Sequence, residues 1–175
     1  VANFDFLSEY RGAVQKMYDT DALVLQQSWD SSTEQGRKEL ADALQKNADN
    51  KQLFLSMFDE ERHKELQDKG LVALSFKATQ AALLITLYSD QPVLHVPYLI
   101  LQRLITIDQL MATFRFRHMM TVTRTIGSKL GTGGSSGYAY LKAGIEPART
   151  FKDLANVATY IIRPSAVPQL PKEVV

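Results

Sequence analysis

The chain contains no cysteine, no long hydrophobic run and no excess of charge of one sign. Without a thiol it cannot form disulfide bonds, thiolate metal sites or a cysteine nucleophile, and such a composition fits a reducing compartment. The longest largely apolar run, residues 81–87, is too short to cross a membrane. A formal net charge of +1 gives no strong field to attract nucleic acid or an anionic membrane. We therefore expect a cytoplasmic protein that binds neither nucleic acid nor a membrane.

The chain also lacks the alternation of apolar and polar residues that is typical of half-buried strands. Its 175 residues are 45% hydrophobic and 22% charged, which is enough apolar material for one core. The sequence therefore predicts an all-α fold, a helical bundle with one long central helix, as a single domain over residues 1–175. Residues 1–5 lack a starting Met and the basic region of a signal peptide, so we expect an internal start within a longer protein.

Helical spacing of apolar residues predicts a series of helices along the chain. In chain order they cover residues 1–28, 50–67, 74–88, 97–126 and 138–143. The polar stretch 30–49 is interpreted as an exposed helix or an ordered excursion. Gly70 is expected to stop a helix, and Ser75 and Pro97 are expected to begin one. A last apolar run and an extended tail follow, marked by Phe151, Leu154, Val157, Ile161, Pro164, Pro168 and Pro171.

Asp59 and His63 lie one helical turn apart in a charged run and superficially resemble part of a metal site. Charged residues four positions apart on a helix are far more often a surface pair, so we reject the metal site. His95 is expected in the connecting stretch before Pro97, away from the central helix.

The clearest helical pattern is an apolar stripe on the predicted central helix, with spacings of three and four residues. It consists of Leu104, Ile107, Met111, Phe114, His118 and Val122. A lone histidine on such a face is more often a satisfied core residue than a ligand. The alternative is an axial ligand of haem iron, since a neutral imidazole facing an apolar cavity suits that role and aromatic and Met neighbours suit a porphyrin face. A structural zinc site is excluded because no second histidine or cysteine has a suitable spacing.

Residues 131–137 form a loop of four glycines and three hydroxyl residues. Ordering so many glycines costs conformational entropy, so the loop is either a close approach of backbone to a ligand or a flexible connector. It is neither a Walker A loop nor a dinucleotide fingerprint, because the Gly-Lys-Ser/Thr ending and the preceding strand are both missing. Its N–H groups and the hydroxyl of Thr132 suit a carboxylate, an ammonium group or a haem propionate. The residues alone indicate a helical protein with a haem or small-acid pocket.

The segment Leu130-Gly-Thr-Gly-Gly-Ser-Ser-Gly-Tyr138, followed by Tyr140-Leu141, closely resembles the signature loop of the tryptophan 2,3-dioxygenase family. Ile107-Asp-Gln-Leu-Met111 and Phe114-Arg-Phe-Arg-His118 resemble the helix that bears the proximal haem histidine in that family. Other segments are similar by order and spacing, so the resemblance covers nearly the whole chain.

The resemblance implies a haem-dependent dioxygenase that opens the indole ring of L-tryptophan with O2 to give N-formylkynurenine, the first step of the kynurenine pathway. It implies haem b, with His118 as the axial ligand of the iron and Thr132 as the contact for the amino and carboxylate groups of tryptophan. The residues implied to shape the loop or to pack near the macrocycle are Gly131, Gly133, Gly134, Ser135, Phe114 and Tyr140. The family also implies a homotetramer whose neighbouring subunits complete each site.

The family's N-terminal part has no counterpart in this sequence. In the family that part carries the distal histidine and the arginine that clamps the tryptophan carboxylate. We therefore expect these catalytic residues to be supplied by an N-terminal portion of the same protein or by a companion chain, without which this chain is inactive. The alternative is a non-catalytic fragment that binds haem or supports oligomerisation.

The residues before His118 also depart from the family pattern Trp-Arg-Tyr-x-His, since Phe114 and Phe116 stand in place of Trp and Tyr. Loss of the indole N–H and the phenol removes hydrogen-bond partners around the haem, which shifts its redox poise or its substrate preference. A further alternative is therefore a haem enzyme of the same fold that oxidises another aromatic amino acid or an indole derivative.

Overall fold

The computed structural model describes residues 4–29, 33–127, 129, 137–145, 147 and 149–171. The α-helices in these ranges are α1 (Phe6–Gln27), α2 (Glu34–Ser56), α3 (Glu60–Asp68), α4 (Phe76–Leu87), α5 (Pro92–Ile126), α6 (Gly137–Ala143) and α7 (Lys152–Asn156). The described residues contain no strand, so the all-α prediction is confirmed. None of the described helices combines the length and the apolar character that a membrane span requires. The single domain over residues 1–175 stays a prediction.

The hydrophobic core lies where α1, the end of α2, α4 and the segment after α7 meet. Its fully buried side chains are Tyr10, Val14 and Leu83. Burying an aliphatic side chain such as that of Val14 or Leu83 contributes about 1.5–3 kcal/mol. The hydroxyl of Tyr10 donates to the carbonyl oxygen of Tyr160 and accepts from the N–H of Ile162, so α1 is also tied to the C-terminal segment.

One helix, α2, covers most of the stretch that the sequence divided in two. It runs unbroken through residue 50, so the predicted boundary there is wrong. Its first part is largely exposed, as predicted for the polar stretch, and its last turn brings Phe54 into the core. The break comes at Asp59, whose carboxylate accepts a hydrogen bond from the N–H of Arg62 at 2.9 Å and so begins α3. The boundary between α2 and α3 therefore lies at the capping residue Asp59 and not at residue 50, where the composition changes from polar to apolar.

The predicted signals around α4 are confirmed. Gly70 follows the end of α3 with φ of +68°, a left-handed conformation that favours glycine. The hydroxyl of Ser75 accepts a hydrogen bond from the N–H of Ala78 at 3.2 Å and caps α4.

The long helix α5 begins at Pro92, so the predicted start at Pro97 is wrong. Pro92 occupies the first turn, where its missing N–H removes no intrahelical hydrogen bond. Pro97 lies inside the helix, and the carbonyl of Val93, four residues earlier, loses its intrahelical partner. His95 therefore lies in the first turn of α5 and not in a connection, with Nδ1 3.4 Å from the carbonyl oxygen of Ser89.

The segment after α7 differs from the predicted helical run by one position. A 3-10 turn at Val157–Tyr160 follows α7, and its tighter winding changes which side chain faces inward. Ile162 is buried, whereas Ile161 is 41% exposed. The tail is held in place, since the hydroxyl of Tyr88 donates to the carbonyl oxygen of Pro168 at 2.7 Å.

Two buried carboxylates join helices that are distant in sequence. Asp153 accepts hydrogen bonds from the N–H groups of Ala73 and Leu74 at 2.6 and 3.1 Å, which ties α7 to the segment that precedes α4. Asp108 of α5 accepts from the N–H groups of Thr150 and Phe151, at the start of α7. Neither contact has a local sequence signal.

The buried tyrosines predict alkaline destabilisation. Burial raises the pKa of Tyr10 well above its usual value and raises the pKa of Tyr88 from 10.0 to about 12. Above about pH 10 the unfolded chain therefore holds fewer protons than the folded chain, so the tyrosines' contribution to stability is complete below that pH and is lost as the pH rises toward 12. We expect the free energy of unfolding, measured in urea, to fall between about pH 10 and pH 11.

The matched variants are Tyr88→Phe, which should reduce this pH dependence, and Tyr138→Phe at an exposed position, which should retain it. A parent protein whose stability is constant up to pH 11 would contradict the assignment.

Candidate functional site

His118 lies on α5 with its imidazole exposed. The ring stacks on Phe114, one helical turn earlier, with 6.1 Å between the ring centroids and 5° between the ring planes. A spacing of four residues places both side chains on the same helix face. Among the described residues, none forms a hydrogen bond or ion pair with His118, so its ring nitrogens remain available. The interpretation of His118 as a satisfied core histidine is therefore wrong.

A groove of about 390 Å³ runs beside His118. Its lining residues are Leu110, Thr113, Phe114, Arg117, His118 and Thr121. Among these lining residues Arg117 carries a positive charge, although it is not a member of the apolar stripe that the sequence predicts. Its spacing of three residues from Phe114 and seven from Leu110 is the signal that could have found it.

The apolar stripe of α5 is largely exposed. Ile107 is 48%, Met111 43% and Phe114 62% exposed. Leu104, the first residue of the stripe, does pack against the core, together with Leu101 and Ile105 of the same helix. Contiguous apolar surface of this kind is typical of a site that binds a ligand or another protein.

The helix α6 confirms the short helix predicted after the glycine-rich loop, and it packs on the C-terminal half of α5. It carries Tyr140, whose side chain is 68% exposed. α6 thus places Tyr140 on the surface at the end of α5 that also carries His118. Its first residue, Gly137, packs closely against the side chains of Val122 and Ile126 on α5.

The proposed loop residues Gly131, Thr132, Gly133, Gly134 and Ser135 lie outside the described residues. Their roles stay predictions that rest on the sequence. The last described residue of the helical segment before them, Gly127, has φ of +62° and ends α5 in a conformation that favours glycine.

The two members of the rejected metal patch have separate partners. Asp59 caps α3, as described above. His63 places Nε2 2.8 Å from the carbonyl oxygen of Leu74 and packs against Phe76 with 5.5 Å between ring centroids. His63 therefore supports the connection between α3 and α4.

A profile described as tryptophan 2,3-dioxygenase matches residues 1–161 of this chain. The chain belongs to the tryptophan 2,3-dioxygenase family. The tryptophan 2,3-dioxygenase of Dictyostelium discoideum is 42% identical over 172 residues, which are 98% of this chain and 42% of that protein. The one from Bdellovibrio bacteriovorus is 39% identical over 172 residues, 98% of this chain and 47% of that protein. The one from Xenopus laevis is 46% identical over 121 residues, 69% of this chain and 30% of that protein.

These comparisons confirm the resemblance drawn from the loop and from the helix before it. The matched range includes His118, Phe114 and Tyr140 as well as the loop residues that the structure does not describe. The chain spans less than half the length of these tryptophan 2,3-dioxygenases.

Proposed function

We propose that this chain is the haem-binding part of a tryptophan 2,3-dioxygenase, an enzyme that opens the indole ring of L-tryptophan with O2 to give N-formylkynurenine. The decisive observation is the exposed stack of His118 on Phe114 beside an apolar groove. Membership of the family supports the substrate, because the relatives of this chain are named tryptophan 2,3-dioxygenases.

The described residues fit a haem b group. Such a group requires an imidazole with an available nitrogen, apolar surface for its macrocycle and donors or cations for its propionates. His118 offers the nitrogen, Phe114 the apolar surface and Arg117 the positive charge. His118 would hold the haem iron through its imidazole nitrogen, and Phe114 and Tyr140 would lie beside the macrocycle. Bound haem supplies the oxygen chemistry.

The chain's own residues then bind and orient the substrate. The hydroxyl of Thr132 both donates and accepts, which suits the ammonium and carboxylate groups of tryptophan. Gly131, Gly133 and Gly134 allow the backbone to approach a ligand closely, and the Ser135 hydroxyl adds a donor. The assignments of these five residues rest on the loop motif.

The exposed apolar stripe indicates that another protein segment packs on this face of α5. Ile107, Met111 and Phe114 form an apolar surface from which water is excluded only when such a segment lies over it. We assign that cover to an N-terminal portion of the same protein or to a companion chain, within a homotetramer. The distal histidine and the carboxylate-binding arginine belong to that partner.

The test is the product formed from L-tryptophan and 18O2 by the haem-loaded chain, alone and with the N-terminal portion of the Dictyostelium discoideum relative. We expect N-formylkynurenine with two 18O atoms from the mixture and on the order of a hundredfold less from the chain alone, because the substrate is then poorly positioned. In the mixture, Thr132→Ala should raise the tryptophan KM about tenfold, the effect of losing one hydrogen bond to a charged group.

Thr125→Ala is the matched control, since Thr125 is exposed and donates only to the carbonyl oxygen of Thr121 within α5. If the mixture made no doubly labelled product, the proposed function would be wrong. If another aromatic amino acid or an indole derivative gave a product and tryptophan gave none, the assignment of tryptophan as the substrate would be wrong. If the chain alone turned over tryptophan as fast as the mixture, the proposal that an N-terminal portion or companion chain is required would be wrong.

A further inference from the structure

Arg115 lies three residues before His118 on α5, and its side chain reaches α6. Its Nη1 donates to the carbonyl oxygen of Gly144, 3.4 Å away and just beyond the last residue of α6. Its Nε is buried and has no hydrogen-bond partner among the described residues. A buried donor on a cation is unfavourable when it is unpaired. The hydrogen bond from Nη1 holds the end of α6.

Gly144 is suited to receive this contact. Its N–H donates to the carbonyl oxygens of Tyr140 at 3.2 Å and of Leu141 at 3.3 Å, which closes the last turn of α6. Its own carbonyl lies beyond that turn and accepts from Arg115. Carbonyl groups at a helix C-terminus carry partial negative charge, so a guanidinium is favourably placed there.

The other end of α6 is held by close packing on α5. A Cβ atom at Gly137 would lie 3.0 Å from Cγ1 of Val122 and 3.6 Å from Cδ1 of Ile126, so the absence of a side chain allows this approach. Arg115 and Val122 are seven residues apart, which places them two turns apart on one face of α5. His118 lies between them along the helix. The two contacts that hold α6 therefore flank His118.

We propose that Arg115 is a positioning residue that fixes α6 against α5 and so sets the place of Tyr140 relative to His118. The proposal rests on the proposed function, which gives His118 and Tyr140 their roles. Arg115 acts through α6 and is not assigned to touch haem or tryptophan. Its loss is therefore expected to weaken tryptophan binding while axial ligation by His118 persists.

The position of α6 can be measured without haem or substrate. Because the chain has no cysteine, spin labels at Lys77→Cys on α4 and Ala139→Cys on α6 form a unique pair at exposed positions. We expect a narrow distance distribution in the parent and a broadened or shifted one in Arg115→Met. Arg115→Lys keeps the charge without the planar fork and should restore the distance in part. Arg103→Met, at an exposed arginine of the same helix, should leave it unchanged.

A second experiment tests whether the position of α6 affects tryptophan binding. The haem-loaded chain is combined with the N-terminal portion of the Dictyostelium discoideum relative, and tryptophan is titrated while the haem absorbance spectrum is recorded. Arg115→Met should raise the apparent tryptophan Kd about tenfold, because small displacements of binding groups have large effects. The spectrum without tryptophan and the thermal midpoint should match those of Arg103→Met.

An unchanged label distance in Arg115→Met would overturn the positioning role. A changed distance with unchanged tryptophan affinity would overturn its link to the site. If the parent did not respond to tryptophan, the proposed function would fail, and the label distances would still decide whether Arg115 positions α6.

Discussion

Replacing His118 by alanine is expected to lower the haem affinity of the chain by on the order of a hundredfold or more, with loss of the histidine-ligated spectrum. The imidazole is exposed, stacks on Phe114 and has no competing partner among the described residues. Its removal therefore takes away the proposed iron ligand, and the ring contact that it breaks is the stack on Phe114 of the same helix. The measurement is a haem titration followed by absorbance, with circular dichroism to show that the helical content is unchanged.

His95→Ala is the matched control, because His95 is an exposed histidine of the same helix with one long contact, 3.4 Å, to the carbonyl oxygen of Ser89. It should bind haem like the parent. Adding imidazole to His118→Ala should restore a nitrogen-ligated spectrum, since the groove beside residue 118 remains open. If His118→Ala kept the parental spectrum and affinity, the ligand assignment would be wrong.

Local signals were sufficient where one residue determines the backbone. Ser75 caps α4 and Gly70 ends the segment before it, because an N-cap hydroxyl and a left-handed glycine act within a single turn. The prediction from Pro97 failed because Pro92 already occupies the first turn, where a proline fits best. The helix continues through Pro97 even though an interior proline removes one intrahelical hydrogen bond. The prediction that Ile161 continues the last apolar helix face was wrong because the 3-10 turn at Val157–Tyr160 has fewer residues per turn than an α-helix.

The candidate site was predictable to the extent that it lies on one helix. The spacing of Phe114 and His118 predicts that their side chains meet, and they do. Hydrophobic periodicity identifies an apolar face but does not say what covers it, so the exposure of Ile107 and Met111 could not be read from the stripe. The contact of Arg115 with Gly144 joins residues that are 29 positions apart, and no local pattern predicts it.

Replacing Asp108 by alanine is expected to lower the free energy of unfolding by about 3–5 kcal/mol. The side chain is 4% exposed and accepts hydrogen bonds from the N–H groups of Thr150 at 3.0 Å and of Phe151 at 2.6 Å. Alanine leaves both buried donors without an acceptor, and each unpaired donor is unfavourable by about 1–3 kcal/mol. A loss of this size is a large part of the 5–15 kcal/mol that is typical of a folded domain. Urea unfolding followed by circular dichroism measures it.

Asp108→Asn separates the hydrogen bonds from the shape of the side chain, because it keeps the volume and one acceptor oxygen but turns a donor toward the second N–H group. Its destabilisation should lie between those of the parent and Asp108→Ala. Asp68→Ala, at an exposed position at the end of α3, should change stability by less than about 0.5 kcal/mol. If Asp108→Ala were as stable as Asp68→Ala, the carboxylate would not be what ties α7 to α5. Asp108 and His118 are both on α5, so this hydrogen-bonded contact stabilises the helix that carries the proposed haem ligand. Asp108→Ala should therefore lose haem binding only under conditions in which it unfolds.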